Sequence, residues 1–218
     1  MEKLVEFLKW LLSAFLKQKT ATPTVPEPKG APETLGPKPK GVGVRVAISS
    51  GHGARVPGAV GILDEVRETR RVVRRVAKHL GEMGVAVHEF HDDESDTPWR
   101  NLSAIIGWHN RQERDMDVSV HFNAFSPTDE PRGTEVLHLP DSKRGLALRI
   151  AGAVAAAGGF RYRGTKERTN LAFLNLTGKP AVLIEVCFVD SATDAGLYGE
   201  NFDAVCLAIA DALAAANL

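Results

Sequence analysis

Residues 182–188 read Val-Leu-Ile-Glu-Val-Cys-Phe, an apolar run of strand character with one carboxylate, Glu185, at its centre. A solvated face does not explain an acid in that setting. A charge taken out of water needs a partner or a chemical task, so Glu185 belongs either to a buried ion pair or to a reaction. Two further apolar runs end in the same way. Gly43–Ser50 leads into Ser50-Gly51-His52-Gly53, and Asp117–Val120 leads into His121-Phe122-Asn123. A second glutamate, Glu65, stands in Leu63-Asp64-Glu65-Val66, where a long helical pattern begins.

Between these runs the hydrophobic period switches between two and 3.6 residues. It predicts strands at 43–50, 85–90, 117–123, 133–139 and 181–189, and a short extended segment at 171–176. Helices are predicted at 64–83, 99–113, 142–157 and 200–215. Alternating strands and helices point to an α/β fold: a mostly parallel twisted sheet flanked by helices on both faces, in a single catalytic domain. Ligands of such sheets bind at the carboxyl ends of the strands, where His52, His121 and Glu185 fall.

The domain is expected to span 42–218. Residues 20–41 hold six prolines and are expected to be an extended linker. Residues 1–19 are expected to form an amphipathic helix, with apolar side chains at 4, 5, 8, 11, 12, 15 and 16. That stretch is too short and too charged to cross a bilayer, and it makes a poor secretion signal; contact with a membrane surface or a protein partner through 4–16 is expected. Lys+Arg and Asp+Glu both number 27, so nothing suggests a nucleic-acid partner. The two cysteines, Cys187 and Cys206, lie in apolar runs and read as buried thiols.

Two imidazoles and a carboxylate are a ligand set for catalytic zinc, and a further glutamate can serve as base. Plainer readings stand beside this one. His52 also reads as a turn histidine, His121 as a satisfied buried ring, and Glu65 as an acid complementing a helix dipole, with Asp64 and Glu68 as rivals for its role. His79, His88, His91, His109 and His138 read as surface or packing residues. Asp92-Asp93-Glu94 with Asp96 reads as a solvated loop. Arg161-Tyr162-Arg163 and Lys166-Glu167-Arg168 either line a groove that meets carboxylates or form an exposed loop. Asn123 either orients a ligand or touches substrate.

Taken in order, Ser50-Gly51-His52-Gly53, Gly61-Ile62-Leu63-Asp64-Glu65, Ser119-Val120-His121-Phe122-Asn123, Gly133-Thr134-Glu135-Val136 and Leu183-Ile184-Glu185-Val186-Cys187-Phe188 resemble the zinc-dependent N-acetylmuramoyl-L-alanine amidases, which include bacterial cell-wall amidases and phage endolysins. The resemblance covers residues 43 to 217. It implies one Zn2+ bound by His52, Glu65 and His121, Glu185 as the catalytic carboxylate, and hydrolysis of the amide between N-acetylmuramic acid and L-alanine in peptidoglycan. It implies action on the cell wall, in the periplasm or outside the cell, after release from the cytoplasm if the chain is phage-derived. A monomer is expected. A zinc peptidase acting within the stem peptide and a non-catalytic wall-binding module are the alternatives. Departures from the family pattern are Ser49-Ser50 where Asp-Pro is usual, Gly107-Trp108-His109-Asn110 in the second helix, and Val189-Asp190-Ser191 after the last strand. The stretch between Gly159 and Ala181 is too short for the site-plugging helix of the cell-division amidases, so an open site is expected.

Overall fold

The computed structural model describes residues 43–140 and 144–216. The helix expected within 1–19 and the linker expected at 20–41 lie outside the described residues. The elements are β1 (Arg45–Ser50), α1 (Glu65–Glu82), β2 (Ala86–Phe90), α2 (Pro98–Arg111), β3 (Met116–Asn123), β4 (Thr134–His138), α3 (Arg144–Gly158), β5 (Tyr162–Glu167), α4 (Ala172–Leu176), β6 (Ala181–Phe188) and α5 (Ala192–Ala214).

The six strands form one sheet in the order β2-β1-β3-β6-β4-β5. Every neighbouring pair is parallel except β4 with β6. Because β5 follows the direction of β4, these two strands run against the other four. The fold is therefore the expected mostly parallel α/β sheet.

Side-chain alternation along the strands divides the core in two. Val46, Ile48, Val118, Val120, Val182 and Ile184 face a large cluster that takes in α1, α3 and α5. Leu137, Ala181 and Leu183 face a smaller one with Ile105 of α2 and Phe173 and Leu174 of α4. Helix α1 begins where the Asp64 carboxylate caps the Arg67 N–H, and it buries Val72, Val73, Val76 and Leu80 completely. A buried Leu80 side chain alone contributes roughly 1.5–3 kcal/mol. Cys187 and Cys206 are free thiols within the core.

Three sequence expectations need correction. Residues 172–176, expected to be extended, form the single-turn helix α4, on which Phe173 and Leu174 are buried. Residues 162–167 form strand β5, whose polar Tyr-Arg-Gly-Thr-Lys-Glu sequence suits a sheet edge, where one row of backbone groups meets solvent. The last helix starts at Ala192, capped by Ser191, rather than near 200, because Asn201 leaves helical geometry (φ −112°, ψ 18°) and splits it in two. The expected span matches only its second part.

Candidate metal centre

Strand β1 delivers its last residue, Ser50, to a turn pinned by a 2.9 Å hydrogen bond from the Gly51 N–H to the Val120 carbonyl. The His121 ring lies directly over Gly51. A Cβ at position 51 would come within 1.9 Å of Nε2 of that ring, so only glycine fits. On the far side of the turn, His52 points toward the head of α1. Glu65, 3% exposed, is held there by the Ala59 N–H on Oε2 (2.7 Å) and the Phe122 N–H on Oε1 (3.1 Å).

These anchors bring the three residues together. Glu65 Oε1 lies 3.1 Å from His121 Nδ1 and 3.5 Å from His52 Nε2. The two rings meet edge-on, with centroids 5.3 Å apart at 78°. One ligand atom from each of the three lies within 4.8 Å of the others. The rivals of Glu65 are occupied elsewhere. Asp64 caps α1, while Glu68 is buried against Arg67, Arg71 and the Tyr198 hydroxyl.

Glu185 sits across from His121 in the β3–β6 register, and across from Glu135 in the β4–β6 register. Residues directly opposite share a face, so His121, Glu185 and Glu135 form a polar row on the side covered by α2 and α4. Glu185 Oε2 is buried without a hydrogen-bond partner among the described residues. Asn123 binds the protein rather than standing free: its Nδ2 donates to Glu135 Oε1 (3.2 Å) and its Oδ1 accepts from the Ala124 N–H (2.9 Å).

Burial pushes the Glu185 carboxyl up to about 7; His121 opposes this, while the Glu65 and Glu135 carboxylates add to it. Burial lowers His52. Burial is also the largest single influence on Glu65 and His121, but their mutual hydrogen bond together with the opposite charges around them, His52 for Glu65 and Glu185 for His121, outweighs it, so the Glu65 carboxyl falls and the His121 imidazole rises. Two imidazoles and one carboxylate, already within bonding reach of a common point, fit a zinc ion with a coordination position to spare. The orphaned Glu185 oxygen beside them fits a group that awaits a ligand. An apolar cavity of about 140 Å³, lined by Leu102, Ile105, Phe173 and Leu183, opens beside Gly51, Ser119 and His121.

Among the remaining histidines, His109 is fully buried. Its Nδ1 contacts Asp117 Oδ1 at 2.7 Å and its Nε2 contacts Ser49 Oγ at 2.9 Å, while Arg114 holds the same carboxylate. Ser49 and His109, two of the departures from the family pattern, thus satisfy each other. His79 pairs with Asp203, His91 Nδ1 contacts the Ser50 hydroxyl, and His138 Nδ1 contacts the Leu139 carbonyl. Asp92, expected on a solvated loop, is 4% exposed: it accepts from Asn101 Nδ2 and from the Glu94 and Ser95 N–H groups. Sequence reasoning quoted Glu135 only as part of a motif and passed over Arg132. Glu135 was recoverable as a lone acid in the apolar strand Thr134–His138. Nothing in the sequence pairs it with Arg163, whose Nε lies 2.7 Å from its Oε2.

Residues 46–215 match the family model of the N-acetylmuramoyl-L-alanine amidases. An uncharacterized protein of Clostridium perfringens is 30% identical over 163 residues, covering 72% of this chain and 48% of its own length. The N-acetylmuramoyl-L-alanine amidase LytC of Bacillus subtilis is 29% identical over 160 residues, covering 71% of this chain and 31% of its own. The chain thus spans less than half the length of these curated relatives. The catalytic domain of the CD27L endolysin, which targets Clostridium difficile, shares the fold with a TM-score of 0.72 at 22% identity, covering 80% of this chain and 99% of that one. With more than two thirds of its length matched to the family model, this chain belongs to the N-acetylmuramoyl-L-alanine amidase family.

Proposed function

We propose that the domain hydrolyses the amide bond between N-acetylmuramic acid and L-alanine in peptidoglycan, with one zinc ion held by His52, Glu65 and His121 and with Glu185 as the catalytic carboxylate. One observation carries the reading: three ligand-competent side chains converge beside a buried carboxylate oxygen with no partner. When bound, zinc polarises the scissile carbonyl and lowers the pKa of water. Glu65 would offset the positive charge, its carboxylate held in place by the Ala59 and Phe122 N–H groups. Glu185 takes the proton of the attacking water and returns it to the departing amine nitrogen. Its carboxyl, raised toward neutrality, is matched to accepting and releasing a proton in turn. Organisation into a catalytic unit from residue 42 onward, tethered by 20–41 behind the segment 1–19, completes the reading, with action at the cell wall as a monomer.

The test is Glu185→Gln. The variant is expected to bind one zinc per chain as the parent does, while turnover on peptidoglycan falls by roughly 10²–10⁴. Unchanged turnover removes Glu185 as the base. Released fragments carrying free L-alanine amines identify the amidase, whereas released D-alanine identifies a stem-peptide peptidase.

A further inference from the structure

The polar row that starts at His121 does not stop at Glu135. Arg163, at the start of the edge strand β5, directs Nε onto Glu135 Oε2 at 2.7 Å and keeps a side chain that is 31% exposed. Its Nη1 reaches the Arg132 carbonyl at 3.5 Å, and its Nη2 has no hydrogen bond among the described residues. Arg132 stands beside it. Both guanidinium groups lie against the Phe188 ring, Arg163 at 5.0 Å and Arg132 at 5.6 Å from its centroid. Arg132 also lies 4.8 Å from the centroid of Phe125, which is 79% exposed.

The two arginines differ in how their charge is balanced. Arg163 is neutralised by Glu135. Arg132 donates Nη2 to the Ser126 carbonyl and hydroxyl, at 3.2 and 3.0 Å, and forms no ion pair among the described residues. Its Nε is buried with no acceptor. Of the nearby acids, Asp194 accepts the backbone N–H groups of Arg132, Gly133 and Phe188, and Asp190 Oδ2 accepts the Phe125 N–H, while Asp190 Oδ1 is buried with no hydrogen bond among the described residues and forms no ion pair with either arginine. A guanidinium held against two aromatic rings, in no ion pair among the described residues and with its Nη1 making no hydrogen bond among them, is arranged to receive an oxyanion.

We propose that Arg132 and Arg163 form a receptor for a free carboxylate on the stem peptide, on the amine side of the scissile amide, so that the site prefers peptides whose second residue is D-glutamate over its α-amide. The proposal rests on the amidase reading and names the substrate class that this site selects. The planar guanidinium fork suits a carboxylate, and the row His121–Glu185–Glu135–Arg163 leads from the ligand cluster to the arginines along one face of the sheet. A phosphodiester of another wall polymer carries related chemistry and is the outcome to distinguish.

The experiment uses the zinc-loaded full chain on soluble glycan oligomers bearing either L-alanyl-D-glutamate or L-alanyl-D-glutamate α-amide. The expected kcat/KM ratio of acid to amide is about tenfold, the size of one partly exposed charge-assisted contact. Arg132→Gln is expected to bring the ratio close to one, and Arg132→Lys to retain part of it. A merely structural role for Arg132 does not move this ratio. Equal kcat/KM on both substrates by the unaltered chain overturns the proposal while leaving the amidase reading intact, and needs no variant to fold. An unchanged ratio in Arg132→Gln overturns it too. Inhibition by poly(glycerol phosphate) that Arg132→Gln relieves, without any acid preference, assigns the arginines to phosphate and also overturns it. Cleavage of neither oligomer sinks the amidase reading and the proposal with it.

Discussion

Replacing Gly51 with alanine probes the centre without touching any ligand. The added Cβ would lie 1.9 Å from Nε2 and Cε1 of His121 and 2.5 Å from Cδ2. Ordinary carbon contacts sit near 3.5–4.0 Å, so the ring has to withdraw by roughly 1.5 Å or more. The turn backbone cannot yield instead, because the Gly51 N–H is tied to the Val120 carbonyl at 2.9 Å. Withdrawal breaks the 3.1 Å contact of His121 with Glu65 and opens the ligand cluster. Disturbing the groups that merely orient a ligand costs 10–100-fold in metal affinity; displacing the ligand itself is expected to cost at least about 100-fold, or roughly 2.7 kcal/mol. A competition titration with a chromophoric zinc chelator measures this directly. Thermal melting of metal-free protein should change little, because residue 51 lies outside both apolar clusters. Gly51→Ala binding zinc within threefold of the parent refutes the argument.

Acid stability depends on a group remote from the centre. Bonds from His109 and Arg114 hold the Asp117 carboxyl below its ordinary range despite burial, so its stabilisation is present above the unfolded pKa of about 3.9 and is lost as pH falls through the folded value. Burial lowers His109 as well, so the unfolded chain takes up a proton below about pH 6.5 that the folded chain refuses. Melting temperature should therefore decline from about pH 6.5 downward, and His109→Gln should flatten the upper part of that decline; identical pH slopes in parent and variant count against the pair. Asp194→Ala strands the N–H groups of Arg132, Gly133 and Phe188 that its carboxylate accepts, and is expected to cost about 3 kcal/mol in urea denaturation, with a loss below about 1 kcal/mol contradicting the contacts. Chelation should abolish turnover and lower the melting temperature while leaving the helical circular-dichroism signal, and added zinc should restore both, since both apolar clusters form without the ligands; loss of the helical signal on chelation opposes this.

What the sequence disclosed and what it hid have physical causes. Strands β1, β3 and β6 are buried on both faces and spell themselves as apolar runs, so the polar residues interrupting them, Glu185 above all, stand out. Edge strand β5 has no such run, and its polar residues imitate a loop. Helix α4 has only five residues, too few to show a helical period. The reversal of β4 and β5 leaves no trace in hydrophobicity, because direction is set by the connections rather than by the strand's own side chains. Arg132 was hidden for a related reason: Phe125 shares its loop, but Phe188 comes from the end of β6 and joins them only in three dimensions. The proposed zinc ligands were legible because each carried its own local signature; the proposed receptor was not, because its parts acquire meaning only in company.

The inverted course of β4 and β5 has a consequence for how such a domain can diversify. A strand that runs backwards brings its first residues, rather than its last, to the rim that holds His121 and Glu185, so Glu135 and Arg163 arrive there from strand beginnings. The connection from 124 to 133 also opens onto that rim, and it carries Phe125 and Arg132. On the proposed reading, lengthening or rewriting this loop would reshape what the domain recognises without disturbing either apolar layer or His52, Glu65 and His121. The proposed receptor and the proposed centre draw on opposite chain directions, which leaves the first free to drift while the second stays fixed.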